Sequence, residues 1–359
     1  MTRGSSVCTA AALACAIAST AFAQTGGGAA NNHLLRLSQE HGFTFSEIGD
    51  PGNKAVLTQF NNNPTTTPRG GVDYRYRIMT REVTVGEYLQ FANTVGVHLG
   101  QLGFSSVHIG GDLLQSFQVG GGGFQFYIPT GDVSPAEAMR ASFAGTAMFA
   151  NWLHNDKGTG IQAFQNGAYD ISTFRPVPGD SAPRGQEAHN EGARFWIPTT
   201  DEWLKAGYWD PNRYGDGEGG WWQQPNSSDT QLIPGRPELG GQTNGGSAAE
   251  WPSGQVRPVE SGLYPDVQSP WGLIDVSGGG GEWTENLFRP TNLLSSRRII
   301  DGTDARIYGG LFYDDVSIIE SSGTGIGGFW AIRLATVVPS PGGAAVLTLG
   351  AFVAARRKR

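Results

Sequence analysis

Residues 269–286 read Ser-Pro-Trp-Gly-Leu-Ile-Asp-Val-Ser-Gly-Gly-Gly-Gly-Glu-Trp-Thr-Glu-Asn. A turn signal leads into a short apolar run that carries Asp275. Four glycines follow, and then Glu282 and Trp283. Glycine has no side chain to bury and loses the most entropy on ordering, so this run is neither a packed helix nor a central strand. It is read as a loop whose main chain comes close to something.

Working outward, the composition bounds that something. The 359-residue chain has 54 glycines and 10 tryptophans with 38% hydrophobic residues, which describes an ordered, loop-rich protein. Removing Arg3 and the four basic residues 356–359 takes the formal charge from -7 to -12. No basic face remains for nucleic acid, and none is expected as a partner.

Both ends carry export features. Residues 1–23 combine a short charged start, an apolar stretch and Ala21-Phe22-Ala23, the pattern of a signal peptide cleaved before Gln24. Both cysteines, Cys8 and Cys15, fall inside it, so the expected mature chain has no thiol chemistry. Residues 336–359 hold Pro339 and Pro341, an apolar run too short to span a bilayer, and a basic end with Arg356 and Arg357. This tail resembles a PEP-CTERM sorting signal, with Ser340 where that motif usually has Glu. The resemblance implies export to the cell surface, outer envelope or extracellular matrix. It also implies transient membrane association and removal by an exosortase-type enzyme.

Between the ends, residues 24–42 read as a polar, mobile lead-in, and the domain is expected over 43–335. Alternation over Val72–Ile78 predicts a strand. Thr84 is placed to cap a helix over Val85–Thr94. His98–Asp132 is a glycine-rich insertion with an aromatic strand at Phe124–Ile128. Ser134-Pro135-Ala136-Glu137 has the spacing of a helix start, predicting a helix to about Asn155 whose His154 caps the last carbonyls. Thr199 and Glu202 predict a third helix, ending near Tyr208. Asp210, Asn212, Asp216 and Glu218 miss the EF-hand pattern and read as a solvated turn. Tyr308–Phe312 and Gly327–Ala335 are read as two closing strands. Three helices among many short strands define an irregular α+β domain.

Six phrases carry a family resemblance: YRIMTREVTVGEYLQFANTV from Tyr76, FANWLHN from Phe149, ARFWIPTTDEWLKAGYWDPN from Ala193, WGLIDVSGGGGEW from Trp271, YGGL from Tyr308, and the closing GFWAIRLA. In this order they resemble the formylglycine-generating enzyme, or sulfatase-modifying factor, superfamily, which implies a C-type-lectin-like fold. The oxidase members use copper and a cysteine pair before the closing strand; residues 311–328 hold no cysteine, so no copper is expected. A second branch uses nonheme iron and a histidine cluster, which makes an iron oxidoreductase the alternative reading. The six histidines His33, His41, His98, His108, His154 and His189 include no helix-spaced pair.

The family's structural calcium lies near a Gly-Asn-x-Trp-Glu-Trp motif, which here reads Gly278 to Trp283. The resemblance makes Glu282, with carbonyls from Ser277, Gly278 and Gly280, a candidate calcium site. The bland reading of Glu282 as a hydrogen-bonded fold residue stands beside it. Trp221 and Trp222 are candidates for stacking on a polysaccharide or envelope component, or else form a lid packed on the domain. The expected function is a non-catalytic binding or structural module.

Overall fold

The computed structural model describes residues 23–24, 35–60, 63–174, 185–245, 252–253, 260–278, 280–288, 297–301, 318–321 and 329–339. The strand at Tyr308–Phe312 and most of the leader and tail lie outside them.

Two sheets organise the chain. In the first, the strand order is Ala23–Gln24, Leu35–Glu40, Phe43–Ile48, Tyr76–Met79, Ala335–Thr336 and Phe195–Trp196. Its first hairpin pairs Glu40 with Phe43 across a two-residue loop, His41-Gly42, with φ of 52° and 90°. Positive φ at both positions matches the strand twist, which is why glycine closes this turn. The domain therefore begins inside the stretch read as a mobile lead-in: Leu35 and Leu37 lie in a strand that Phe43–Ile48 completes. The last strand, Ala335–Thr336, pairs with Tyr76–Met79 on one side and Phe195–Trp196 on the other.

The second sheet runs Asn63–Arg69, Val56–Phe60, Ile318–Ser321, Arg297–Asp301, Glu282–Phe288, Trp330–Ala331 and Arg140–Ala141. The closing phrase Gly327–Ala335 thus supplies one short strand to each sheet, Trp330–Ala331 here and Ala335–Thr336 in the first. The intervening Arg333 is left to point into the core.

Two of the three expected helices form where the caps predict. Thr84 caps Val85–Gly96 with Glu87 closing a capping box, and Thr199 with Glu202 does the same for Thr200–Tyr208. The third starts later than expected. Ser142 caps Phe143–His154, and every residue from Phe143 to Leu153 is buried. Gly145 has the carbonyl of His108 where a Cβ would sit, 2.3 Å away, so this central helix is approached by main chain. Residues 134–137 form a turn, and the chain then runs extended: Val85 N donates to Glu137 O at 2.9 Å and Met139 N to Val83 O at 2.8 Å. The helix-start signature at Ser134 fails because sheet pairing claims the main chain after it.

The glycine-rich insertion folds into two short helices, Leu99–Leu102 and Ser106–Gly110, and a hairpin of Gln115–Val119 with Gly123–Tyr127. The core where the helices Val85–Gly96 and Phe143–His154 meet is aromatic. Phe91 and Phe149 have ring centroids 5.3 Å apart, and Phe91 also meets Trp152 at 5.6 Å. No helix among the described residues is long and apolar enough to cross a membrane.

Candidate functional site

Glu282 opens its strand fully buried, and its carboxylate is held on both oxygens. Arg333 donates from Nε at 3.0 and 2.8 Å and from Nη2 at 2.7 Å, while Trp203 Nε1 donates to Oε2 at 2.8 Å. The remaining guanidinium donors reach the carbonyls of Met79 and Ile274, each at 3.0 Å. Trp283 Nε1 donates to Ala141 O. Three chain segments are therefore tied to one ion pair, which satisfies the groups that burial would otherwise penalise.

The glycine loop does approach something, and that something is the protein. Ser277 O accepts from Thr243 Oγ1 at 2.9 Å, and Gly280 N donates to Glu82 Oε1 at 2.7 Å. At Gly278, in the left-handed region with φ 98°, a Cβ would sit 2.3 Å from Asn244 Oδ1. Gly279 lies outside the described residues. A calcium ion at Glu282 would have to share its carboxylate with a guanidinium already within hydrogen-bond distance of both oxygens. The donor set does not fit that ion, and Glu282 acts as the hydrogen-bonded fold residue. Two further carboxyls crowd the arginine. Burial, with Glu282 and Asp275 adding to it, raises Glu82 well above the usual carboxylate range. Burial likewise pushes Asp275 up to about 6, although the Gly262 amide and Arg333 pull it down.

Trp221 and Trp222 are both half-buried. The Trp221 ring meets Trp209 at 5.2 Å, its Nε1 donates to Lys54 O at 2.8 Å, and it leaves no room for a Cβ at Gly70. Trp222 donates to Asp210 Oδ2 at 3.1 Å under the guanidinium of Arg213, 4.3 Å from the ring centroid. The structure packs both on the domain itself. The neighbouring segment is the expected Asx turn, with Asn212 N on Asp210 Oδ1 and Gly217 N on Asn212 Oδ1.

A different group lines an open pocket of about 470 Å3, walled by Tyr74, His189, Asn190, Glu191, Trp196 and Val337 among others. Glu285, three residues into the same strand as Glu282, anchors it from below. Its Oε1 accepts from Tyr169 Oη at 2.8 Å and from His189 N at 2.6 Å, and both oxygens lie 3.1 Å from His189 Nδ1. The imidazole stacks on Trp196 with centroids 4.8 Å apart and a 20° interplanar angle. Trp196 Nε1 and Tyr74 Oη in turn donate to Glu202, at 3.1 and 2.8 Å. Burial alone would lower the His189 pKa, but the hydrogen bond and charge of Glu285 reverse this and raise it. Burial raises Glu202, against the Thr199 amide and the Trp196 and Tyr74 donors.

The result is an aromatic wall presenting one imidazole, with Nδ1 fixed and Nε2 without a partner among the described residues. Sequence reading missed it because His189 and Glu285 are 96 residues apart and neither sits in a recognisable spacing. The other described histidines are separate: His41 lies 3.6 Å from Asp156, His98 bonds Thr159 O, and His108 bonds Ser105. His154 does not cap carbonyls. Its Nδ1 accepts from Arg194 N at 3.0 Å, and Asn155 reaches the Asn151 carbonyl instead. Among the described residues no group of three His, Cys, Asp or Glu is arranged to hold a metal ion.

Short strands from distant segments, three principal helices and long loops closed by a buried Arg-Glu pair make this an irregular C-type-lectin-like α+β domain. Residues 50–325 match the sulfatase-modifying factor enzyme 1-like domain, and the chain belongs to that family. Among solved structures it is similar to Treponema denticola variable protein 1, at 15% identity over 85% of this chain and 99% of that one, with a TM-score of 0.46. No curated relative matches it by sequence.

Proposed function

We propose that this chain is an exported, non-catalytic binding module of its family, displayed at the cell surface or in the envelope, with the pocket beside His189 as its ligand site. The observation that carries the reading is that the matched domain, residues 50–325, has no cysteine. The thiolate chemistry of the family's oxidases is therefore unavailable to it. The leader and the Pro339–Arg359 tail support export, and exosortase-type processing would release the domain from transient membrane association.

The pocket supports binding over turnover. The carboxylates of Glu202 and Glu285 are buried behind the aromatic wall and engaged by Tyr169, Trp196, Tyr74 and His189, so their geometry is fixed before a ligand arrives. Tyr74, His189 and Asn190 offer ring faces and hydrogen-bonding edges suited to a hydroxyl-rich ligand such as an envelope saccharide. The test is binding of isolated envelope saccharides to the whole protein and to Tyr74→Ala and His189→Ala. Weakened binding in both variants is expected. Stoichiometric copper or iron accompanied by oxygen-dependent turnover would overturn the proposal.

A further inference from the structure

The hairpin inside the glycine-rich insertion carries a second surface. Between Asp112 and Asp132 the chain has no charged residue, in a protein that is 16% charged. Its cross-strand register pairs Gln115 with Tyr127 and Phe117 with Gln125, which puts all four side chains on one face. That face is open: Phe117 is 51% and Tyr127 43% exposed, and Gln115 and Gln125 are exposed beside them. The two rings lie 6.3 Å apart at 40°, and Tyr127 Oη donates to Gln115 Oε1 at 2.7 Å, which holds its ring in place.

The opposite face fixes the hairpin to the domain. Phe126 is buried, and its main chain is clamped by Asn93, with Phe126 N on Oδ1 at 2.7 Å and Nδ2 on Phe126 O at 3.2 Å. Helix Val85–Gly96 comes so close that a Cβ at Gly96 would lie 2.3 Å from Phe124 O. The outer face is therefore a rigid ribbon of two aromatic rings between two primary amides.

We infer that this outer face, Gln115, Phe117, Gln125 and Tyr127, is a docking platform for an uncharged polysaccharide chain. Ring faces stack on the apolar faces of sugar rings, and amides both donate to and accept from hydroxyls. Charge decides among polymers. A nucleic acid or an anionic lipid surface needs basic residues, which this ribbon lacks, and the net charge of -7 repels polyanions. The inference rests on the chain being a binding module, yet the platform shares no residue with the His189 pocket.

The experiment is retention of the whole protein on insoluble cellulose and chitin and in dextran gels, with heparin and DNA as charged counterparts. Wild type is expected to bind a neutral matrix with little dependence on salt. Phe117→Ala/Tyr127→Ala is expected to bind at least about tenfold more weakly, from the loss of two stacking contacts, at an unchanged melting temperature. Phe117→Gln alone leaves Tyr127 and the strand pairing in place and gives the same reading if the double variant folds poorly. Leu239→Ala, at another exposed apolar position, should bind as wild type. Retention on no neutral matrix, or wild-type retention by the Phe117 variants, overturns the inference. So does retention that follows heparin or DNA, or a concentration-dependent dimer that the double variant abolishes. Loss in His189→Ala with the hairpin variants unaffected would assign saccharide binding to the pocket and not to the platform.

Discussion

Arg333 Nη2 lies 2.7 Å from Glu282 Oε1, with both side chains almost wholly inside the protein, at 0% and 1% exposure. Breaking such a pair from one side leaves the other charge buried, at a cost of about 3–5 kcal/mol. Glu282→Ala is expected to lose about that much stability in urea denaturation. Arg333→Ala should lose more, because it strands Glu282 beside Glu82 and Asp275 without the buried guanidinium that acts on all three. EDTA should leave the wild-type melting temperature unchanged. A chelator-sensitive transition that Glu282→Ala abolishes would restore a metal role to this carboxylate.

Asp275 gives the fold a pH dependence with a definite sign. Its pKa rises on folding from 3.8 to about 6, so the folded state holds its proton more tightly than the unfolded chain. The corresponding stability is fully present below the unfolded value and is lost as pH rises through about 6. The difference amounts to roughly 3 kcal/mol, at about 1.4 kcal/mol per pKa unit. Asp275→Asn keeps an acceptor for Gly262 N and cannot ionise. Across pH 4–7 it should gain stability relative to wild type, read as the difference between two urea-denaturation series. A constant difference would contradict the burial of the Asp275 charge.

The fold was legible where a local rule and its tertiary use coincide. Thr84 with Glu87 and Thr199 with Glu202 are capping boxes in sequence and in structure, and the phrases from Tyr76, Phe149 and Ala193 fall on the strands and principal helices that the domain is built from. It was illegible where a local rule lost to sheet pairing, as at Ser134, whose helix begins instead at Phe143. Leu35–Glu40 looked like a lead-in because its alternation is brief, and only Phe43–Ile48 makes it a strand. The site was harder still. Glu282 was visible as a motif residue, but its partner Arg333 is 51 positions away, and nothing in composition pairs His189 with Glu285.

His189 is expected to titrate above the ordinary histidine value because Glu285 stabilises its charged form against the cost of burial. Its stabilising contribution is complete below the unfolded value of 6.5 and is lost as pH rises through the folded value. NMR titration of the ring should show this directly. In Glu285→Gln the His189 midpoint should fall below that of wild type, since burial remains and the charge does not. An equal midpoint in both proteins would separate the two groups.

The role of Trp221 can be settled by coupling it to Gly70. The glycine adopts φ 84°, and a Cβ there would meet Trp221 Cη2 at 2.3 Å, so Gly70→Ala suffers both a backbone cost and a clash with the ring. Trp221→Ala removes a half-buried ring from Trp209 and should cost about 2 kcal/mol, less than a fully buried tryptophan. In the Trp221→Ala background the clash is gone and only the positive-φ cost of about 1 kcal/mol remains. A double-mutant cycle in urea should therefore give a destabilisation smaller than the sum of the two single variants, by at least about 0.5 kcal/mol. Additive effects, with Trp221→Ala as stable as wild type, would instead free this tryptophan for a ligand and return it to the surface role its sequence context suggested.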